Sequence, residues 1–241
     1  MEKTIEDIRL DVFLVKNGYA DSREKAKHLI KSGSILVDDA VVQEPSKHVN
    51  GNTKIKIIEG FKYVSRGGYK IDSAARHFGI VFEDKIIADI GCSKGGFTDY
   101  SLKRGAKRVY AIDTGDVLDK TLKSDSRVVY MPNTDARTIK ELEETPDLCL
   151  VDVTFSTIES ILSVAKNWLG TNGGVLGLIK PPFEGSGKVK KVRNYEECTR
   201  IAERIAEWAR NNGYLVNGLV SSELKGKSSE QQEFFIYLIK K

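Results

Sequence analysis

The run Ile86-Ile87-Ala88-Asp89-Ile90-Gly91-Cys92-Ser93-Lys94-Gly95-Gly96-Phe97 narrows the possible folds more than any other stretch of the chain. A mostly apolar strand leads into glycines, and a helix follows. Glycine lets backbone turn through φ values that side chains resist and lets it approach a bound group closely. A strand, a glycine loop and a helix in that order open a parallel, doubly wound sheet. The rest of the chain agrees. Strands are expected over 86–90, 108–112, 128–131, 147–152, 175–179, 214–221 and 233–239. Helices are expected between most of them, over 95–104, 116–123, 136–143, 156–168 and 194–212, with another carrying Lys70 before the first strand. This alternation predicts an α/β, Rossmann-like sheet of seven strands covered on both faces. No comparable helix separates the last two strands, so the last is expected to run antiparallel.

A smaller α+β unit precedes it. Leu10, Phe13 and Leu14 have helical spacing, and Gly18 follows as a cap. Asp21 and Glu24 have the spacing of a capping box for a second helix that turns Ala26, Leu29 and Ile30 inward and ends at Gly33. Ile35–Val37, Asp38-Asp39 and Ala40–Val42 read as a hairpin, and Lys54–Ile58 as a last strand. The expected domains are 1–60 and 61–241, joined near Glu59-Gly60-Phe61.

With 40% hydrophobic and 30% charged residues, the composition is that of a soluble globular protein. No apolar run nears the roughly 20 residues of a membrane span. The charged opening Met1-Glu2-Lys3 is unlike a secretory signal, so a cytoplasmic location is expected. Cys92, Cys149 and Cys198 are widely spaced and form no metal or disulfide pattern, and no metal is expected. The net charge of +4 is uneven: residues 1–60 balance, while Lys62, Arg66, Lys70 and Arg76 cluster, as do Lys188, Lys190, Lys191 and Arg193. Such clusters are solvated surface unless they flank a site that takes phosphate.

The glycine loop selects among ligands. A dinucleotide site would read G-x-G-x-x-G. Here Gly91, Gly95 and Gly96 follow an acid, Asp89, two residues before the first glycine. That suits S-adenosylmethionine, whose ammonium an acid balances and whose carboxylate loop amides at Ser93, Gly95, Gly96 and Phe97 receive. Asp113, ending the next strand, is placed for ribose hydroxyls, and Asp135, after the third, for the adenine amino group. Asp152, after the fourth, also lies near the cofactor. With its antiparallel last strand, the sheet is expected to be the methyltransferase variant.

The acceptor is read from the other strand ends. Leu150-Val151-Asp152-Val153-Thr154-Phe155 lacks the (N/D)-P-P-(Y/F) loop of base amino-group methylation, and no cysteine is placed as a nucleophile for cytosine C5. Lys180 instead follows the apolar strand 175–179 and precedes Pro181-Pro182-Phe183. It and Glu233 could be structural ion-pair partners, or catalytic groups. The set Lys70, Asp152, Lys180, Glu233 resembles the lysine-aspartate-lysine-glutamate tetrad of the FtsJ-like RNA 2′-O-methyltransferases. Tyr63–Lys70 and Lys180-Pro181-Pro182-Phe183-Glu184 look like the hemolysin-A-type (TlyA-like) ribosomal RNA methyltransferases. Arg9-Leu10-Asp11, Ser22–Ala26, Ile30–Gly33 and Val37-Asp38 are similar to the S-four-type RNA-binding module.

The resemblance implies methyl transfer from S-adenosylmethionine to ribose 2′-hydroxyls, on cytidines of ribosomal RNA. Its implied partners are ribosomal RNA or ribosomal subunits. Lys180 would meet the hydroxyl oxygen, Asp152 would orient it, and Lys70 and Glu233 would complete the cluster. Arg9, Arg23, Lys27, Lys31 and Arg66 would contact RNA. Two other classes stand against this: a membrane-active hemolysin, and a non-catalytic RNA-binding assembly factor that keeps the fold.

Overall fold

The computed structural model describes residues 7–31, 33–38, 40–57, 63–154, 156–184, 192, 194–224 and 232–241. The expected joint at residues 59–61, Lys62, and the basic run Lys188, Lys190, Lys191 and Arg193 lie outside them. The chain forms two compact units, 1–66 and 67–241.

The first unit is built on β1 (Ile8–Arg9), α1 (Leu10–Lys16), α2 (Arg23–Lys31), β2 (Ile35–Val37), β3 (Ala40–Val41), β4 (His48–Val49) and β5 (Ile55–Ile57). Leu10, Leu14, Ala26, Ile30 and Ile35 are wholly buried in its core. β2 takes β3 on one side and β5 on the other, both antiparallel. Asp38, at φ 52°, turns the hairpin, and its carboxylate accepts the Lys54 N–H at 3.0 Å. Two details differ from the sequence reading. β1 pairs with β4, and two-residue strands carry too little pattern to be seen beforehand. The cap of α2 is Ser22, whose hydroxyl accepts the Lys25 N–H at 3.2 Å, whereas Asp21 pairs with the Lys25 amine. The cap is therefore displaced by one residue, because the helix starts at Arg23, and with Lys25 three residues after Ser22 no reciprocal capping box forms.

The second unit contains α3 (Arg66–Phe78), β6 (Ile86–Ile90), α4 (Gly96–Lys103), β7 (Arg108–Ile112), α5 (Lys120–Lys123), β8 (Val128–Met131), β9 (Leu148–Val151), α6 (Ile158–Trp168), β10 (Gly174–Ile179), α7 (Tyr195–Asn211), β11 (Tyr214–Ser221) and β12 (Phe234–Lys240). The seven strands order as β11-β12-β10-β9-β6-β7-β8. β6 to β10 are parallel, and β12 runs against both β10 and β11. This is the seven-stranded sheet the alternation predicts. Every residue of β9 and β10 is buried, as central parallel strands with both faces covered require. Ile158, Leu162 and Ala165 of α6 and Ala202, Ile205 and Ala209 of α7 form part of one core with Val151, Val175 and Ile179.

Two expected helices shrink. Of 116–123 only Lys120–Lys123 is helical, because the Asp119 carboxylate caps Thr121 and fixes the start there. Of 136–143 only Ala136–Thr138 forms a 3-10 turn. The Trp168 indole N–H then takes the Ile139 carbonyl at 3.2 Å, which a continuing helix would need for itself.

β6 ends by turning sharply beside β9. Gly91 sits at φ 82°, and a Cβ there would run into the carbonyl oxygen of Asp152. Gly79 has a similar φ, 64°, but open space around it. Gly91→Ala is therefore expected to cost more than Gly79→Ala. The expected losses are about 2–4 kcal/mol against about 1 kcal/mol by urea denaturation. Equal losses would show that the Asp152 contact does not matter.

Candidate active site

The register brings five distant segments to one edge. Ile90 lies opposite both Ile112 and Val151, and Ile179 opposite Phe234. The residues just past the carboxyl ends of β6, β7, β9 and β10 therefore meet the residue just before the amino end of β12. Ligands of open α/β sheets bind at such an edge.

The glycine loop is tied to this edge by its own backbone. The N–H groups of Gly91 and Cys92 both donate to the Ile112 carbonyl, at 2.9 and 3.1 Å. Gly95, at φ 92°, donates to the Cys92 carbonyl, and α4 begins at Gly96. Ser93, at φ 49°, donates its N–H to one Asp113 carboxylate oxygen at 2.8 Å, and Gly115 donates to the other at 2.8 Å. Asp113 is thus fixed by two amides, with lone pairs left on both oxygens for a diol.

Asp89 is wholly buried. Its Oδ2 accepts from the Thr98 hydroxyl at 2.6 Å, while its Oδ1 has no partner among the described residues. Burial pushes its pKa up to about 7 against the Thr98 hydrogen bond, and the charges of Asp152 and Asp113 add to the rise. A buried, half-satisfied carboxylate calls for a cation or a donor. The ammonium of S-adenosylmethionine meets that need, so the residues fit this group: Asp89 for the ammonium and Asp113 for the ribose.

The Phe97 ring is buried against Phe235, centroids 6.2 Å apart, while the expected contact is its backbone amide. Three expected contacts have other partners here. The Ser93 N–H goes to Asp113 and the Gly95 N–H to the Cys92 carbonyl. The Asp135 carboxylate caps the 3-10 turn at the Arg137 N–H and pairs with the Arg137 guanidinium, which holds its pKa low.

Lys70, Asp152, Lys180 and Glu233 resolve into two ion pairs. Lys70 of α3 pairs with Glu233, and both side chains are about nine-tenths buried. Lys180, at the end of β10, pairs with Asp152, at the end of β9. Burial raises the Glu233 pKa against the pull of Lys70, and the charges of Asp152 and Lys180 reach it as well. The two pairs thus share one field. Beside Lys70 opens a cleft of about 380 Å³, bordered by Ser73, Arg76, His77, Ser222 and Phe235.

Three contributors escape the sequence reading. Thr98 is on the first turn of α4, where a helix facing the loop can reach Asp89. The Gln232 amide donates to the carbonyls of Ser222 and Glu233, at 2.7 and 2.9 Å, and joins the ends of β11 and β12 beside Glu233. Glu184 is buried and accepts the Ile158 N–H at 3.0 Å. Glu184 closes the Lys180–Glu184 motif; neither of the others has a motif to mark it.

In the first unit, Asp11 is wholly buried and holds two arginines. Arg9 donates to it twice, at 3.0 and 3.2 Å, and Arg23 once, at 3.0 Å. The Asp11 pKa falls to about 2, chiefly through Arg9 and with help from Arg23. Both guanidinium groups remain about half exposed. Lys27 and Lys31 follow Arg23 at four-residue steps along α2, hence on one face. Arg66 is the first residue of α3.

The sheet order and the edge define a methyltransferase fold with an S-adenosylmethionine site. The FtsJ-like methyltransferase family matches residues 63–240 and the S4 domain residues 8–55, and the chain belongs to the FtsJ-like methyltransferase family. The 16S/23S rRNA (cytidine-2′-O)-methyltransferase TlyA of Mycobacterium tuberculosis is 31% identical, over 95% of this chain and 89% of its own. Hemolysin A of Brachyspira hyodysenteriae is 39% identical, over 76% and 79%. A solved structure from Streptococcus thermophilus, also called a hemolysin, aligns with TM-score 0.71 and 32% identity over 98% and 90%.

The raised Asp89 pKa gives a test. Below about 7 the carboxylate is largely protonated and cannot balance an ammonium. Affinity for S-adenosylmethionine is therefore expected to rise as pH rises through 7, by up to about tenfold per unit on the acid side. Without ligand the same raised pKa makes stability fall between about pH 4 and 7, where the folded state holds the extra proton. Asp89→Asn should flatten both curves, read by calorimetric titration and by denaturation. A wild-type binding curve flat between pH 6 and 8 would remove the assignment.

Proposed function

We propose that this chain transfers methyl groups from S-adenosylmethionine to ribose 2′-hydroxyls of RNA, with cytidines of ribosomal RNA as the acceptors. The observation that carries the reading is the meeting of the Lys70–Glu233 and Lys180–Asp152 pairs at the edge where the glycine loop fits the cofactor. The names of the relatives support the same substrate class. Residues 61–241 would do the chemistry and residues 1–60 the RNA docking, in the cytoplasm where ribosomal subunits are found.

S-adenosylmethionine supplies an already electrophilic methyl group. The protein's work is to align a poorly nucleophilic hydroxyl for in-line attack and to handle its proton. Lys180, oriented by Asp152, meets the hydroxyl oxygen and holds it in line with the methyl group. That oxygen gains positive charge and becomes strongly acidic as its new bond forms, so its proton would leave late, to the Asp152 carboxylate or to water. Lys70, held by Glu233, lines the 380 Å³ cleft, which would take a ribose or phosphate of the same strand. Asp89, Gly91, Ser93, Gly95, Gly96, Asp113 and Asp152 would hold the cofactor, Ser93 and Gly95 through the turn they shape, since their N–H groups already have partners. Phe97 contributes through its backbone. Asp135 serves the adenine only if Arg137 yields it.

Lys180→Met is expected to lower methyl transfer to ribosomal subunits at least about 100-fold and to leave S-adenosylmethionine affinity within a few-fold. Full transfer by this variant would refute the role of Lys180.

Arg9 and Arg23, fixed by Asp11, suit phosphate oxygens, Lys27 and Lys31 would extend the contact along α2, and Arg66 would meet RNA on its own. Such contacts dock folded RNA by shape and backbone. The double variant Arg9→Gln, Arg23→Gln should weaken RNA binding and make log K less steep in log salt, by about 1 for each phosphate no longer held. An unchanged salt slope would exclude them.

The hemolysin names favour membrane lysis instead. Among the described residues no helix is long and apolar enough to cross a membrane.

A further inference from the structure

Glu184 ends the short turn that begins at Lys180, and its carboxylate is buried. A buried acid needs donors, and two backbone amides act on it. One is the N–H of Ile158, the first residue of α6, which donates to Oε2 at 3.0 Å; the N–H of Lys180 itself lies near enough to pull weakly on the same charge. Thr157, at the cap position of α6, makes no side-chain cap bond. Glu184 therefore does that work from 26 residues away. A carboxylate suits the place, because a helix start carries partial positive charge. From α7, Arg204 donates to the Glu184 carbonyl oxygen at 3.1 Å and pairs with Glu159 of α6.

The two amides lie in the two loops that carry the acceptor pair. Asp152 begins the connection that ends at Ile158, and Lys180 begins the turn after β10. We propose that Glu184 is a positioning residue for the Lys180–Asp152 pair. Its carboxylate clips the far end of the Asp152 loop to the Lys180 turn and so fixes where the Lys180 amine meets the acceptor oxygen. This rests on the reading of Lys180 given above. Pairing across two loops is easily lost, and a misplacement of about 1 Å can cost about 100-fold in rate.

The charged groups around the clip are Glu159 on α6, Arg204 on α7, and the Lys180–Asp152 pair itself. Burial raises the Glu184 pKa to about 7 against the Ile158 hydrogen bond; Glu159 adds to the rise, and Arg204 and the Lys180 amide oppose it. The clip is thus strongest above about pH 7, with the carboxylate charged, and loosens below it.

The test compares Glu184→Ala and Glu184→Gln with the unaltered full-length chain. Hydrogen exchange at the Ile158 amide is measured on the protein alone. The Ile158 amide should exchange at least tenfold faster in Glu184→Ala and less so in Glu184→Gln, whose amide oxygen can still accept it. In methyl transfer to ribosomal subunits, Glu184→Ala should lose 10- to 100-fold in kcat, with KM for S-adenosylmethionine within twofold. Glu184→Gln should keep most of the alkaline kcat and lose the fall near pH 7. Unchanged exchange, unchanged kcat, or an equal loss of kcat and cofactor affinity in a folded Glu184→Ala overturns the proposal. Should Glu184→Ala not fold, Glu184→Gln decides, and wild-type exchange with a wild-type pH profile overturns it. No transfer by the unaltered chain overturns the functional reading and this role with it. Unchanged exchange alongside an active unaltered chain overturns the clip alone.

Discussion

Everything at the candidate site depends on β12 lying between β10 and β11 and running against both. The parallel strands deliver their carboxyl ends to the edge, and those ends bring Asp89, Asp113, Asp152 and Lys180. Only an antiparallel strand can bring its amino end to the same place. Glu233, just before that end, is the partner that lets Lys70 be buried with its charge. A buried ammonium without a carboxylate costs several kcal/mol, so the position of one strand and the charge state of one lysine are a single problem.

The edge also shows how one protein places acids in unlike states. Asp113 is satisfied by two amides. Asp89, two residues before its glycine, is buried and half satisfied, and its pKa is raised close to neutral pH. Asp11 in the first unit is buried just as deeply, yet its two arginines keep it charged far below the usual range. Burial alone decides none of these. The number and charge of the donors do.

Much of this was legible in the sequence because the signals were local. An apolar strand followed by glycines, Lys180 after a run of apolar residues and glycine, and the missing helix before the last strand each describe their own surroundings. The pairing of Lys70 with Glu233 spans 163 positions and was legible only as a family likeness, since nothing near either residue names the other. The failures are local propensities overruled by side chains from elsewhere. Trp168 takes the Ile139 carbonyl and ends the helix expected over 136–143. Glu184 caps a helix from 26 residues away in the chain, and capping rules look only at the preceding residue.

The place of β12 bears on the order in which the chain becomes an enzyme. It follows every other strand of the sheet in the chain yet sits inside it, with a neighbour on each side. During synthesis the other six strands emerge first, and β10 and β11 must stay apart, or come apart, to admit it. Until then Lys70 lacks its carboxylate and the acceptor edge lacks a wall. Activity therefore begins only with the closing of the sheet around this strand.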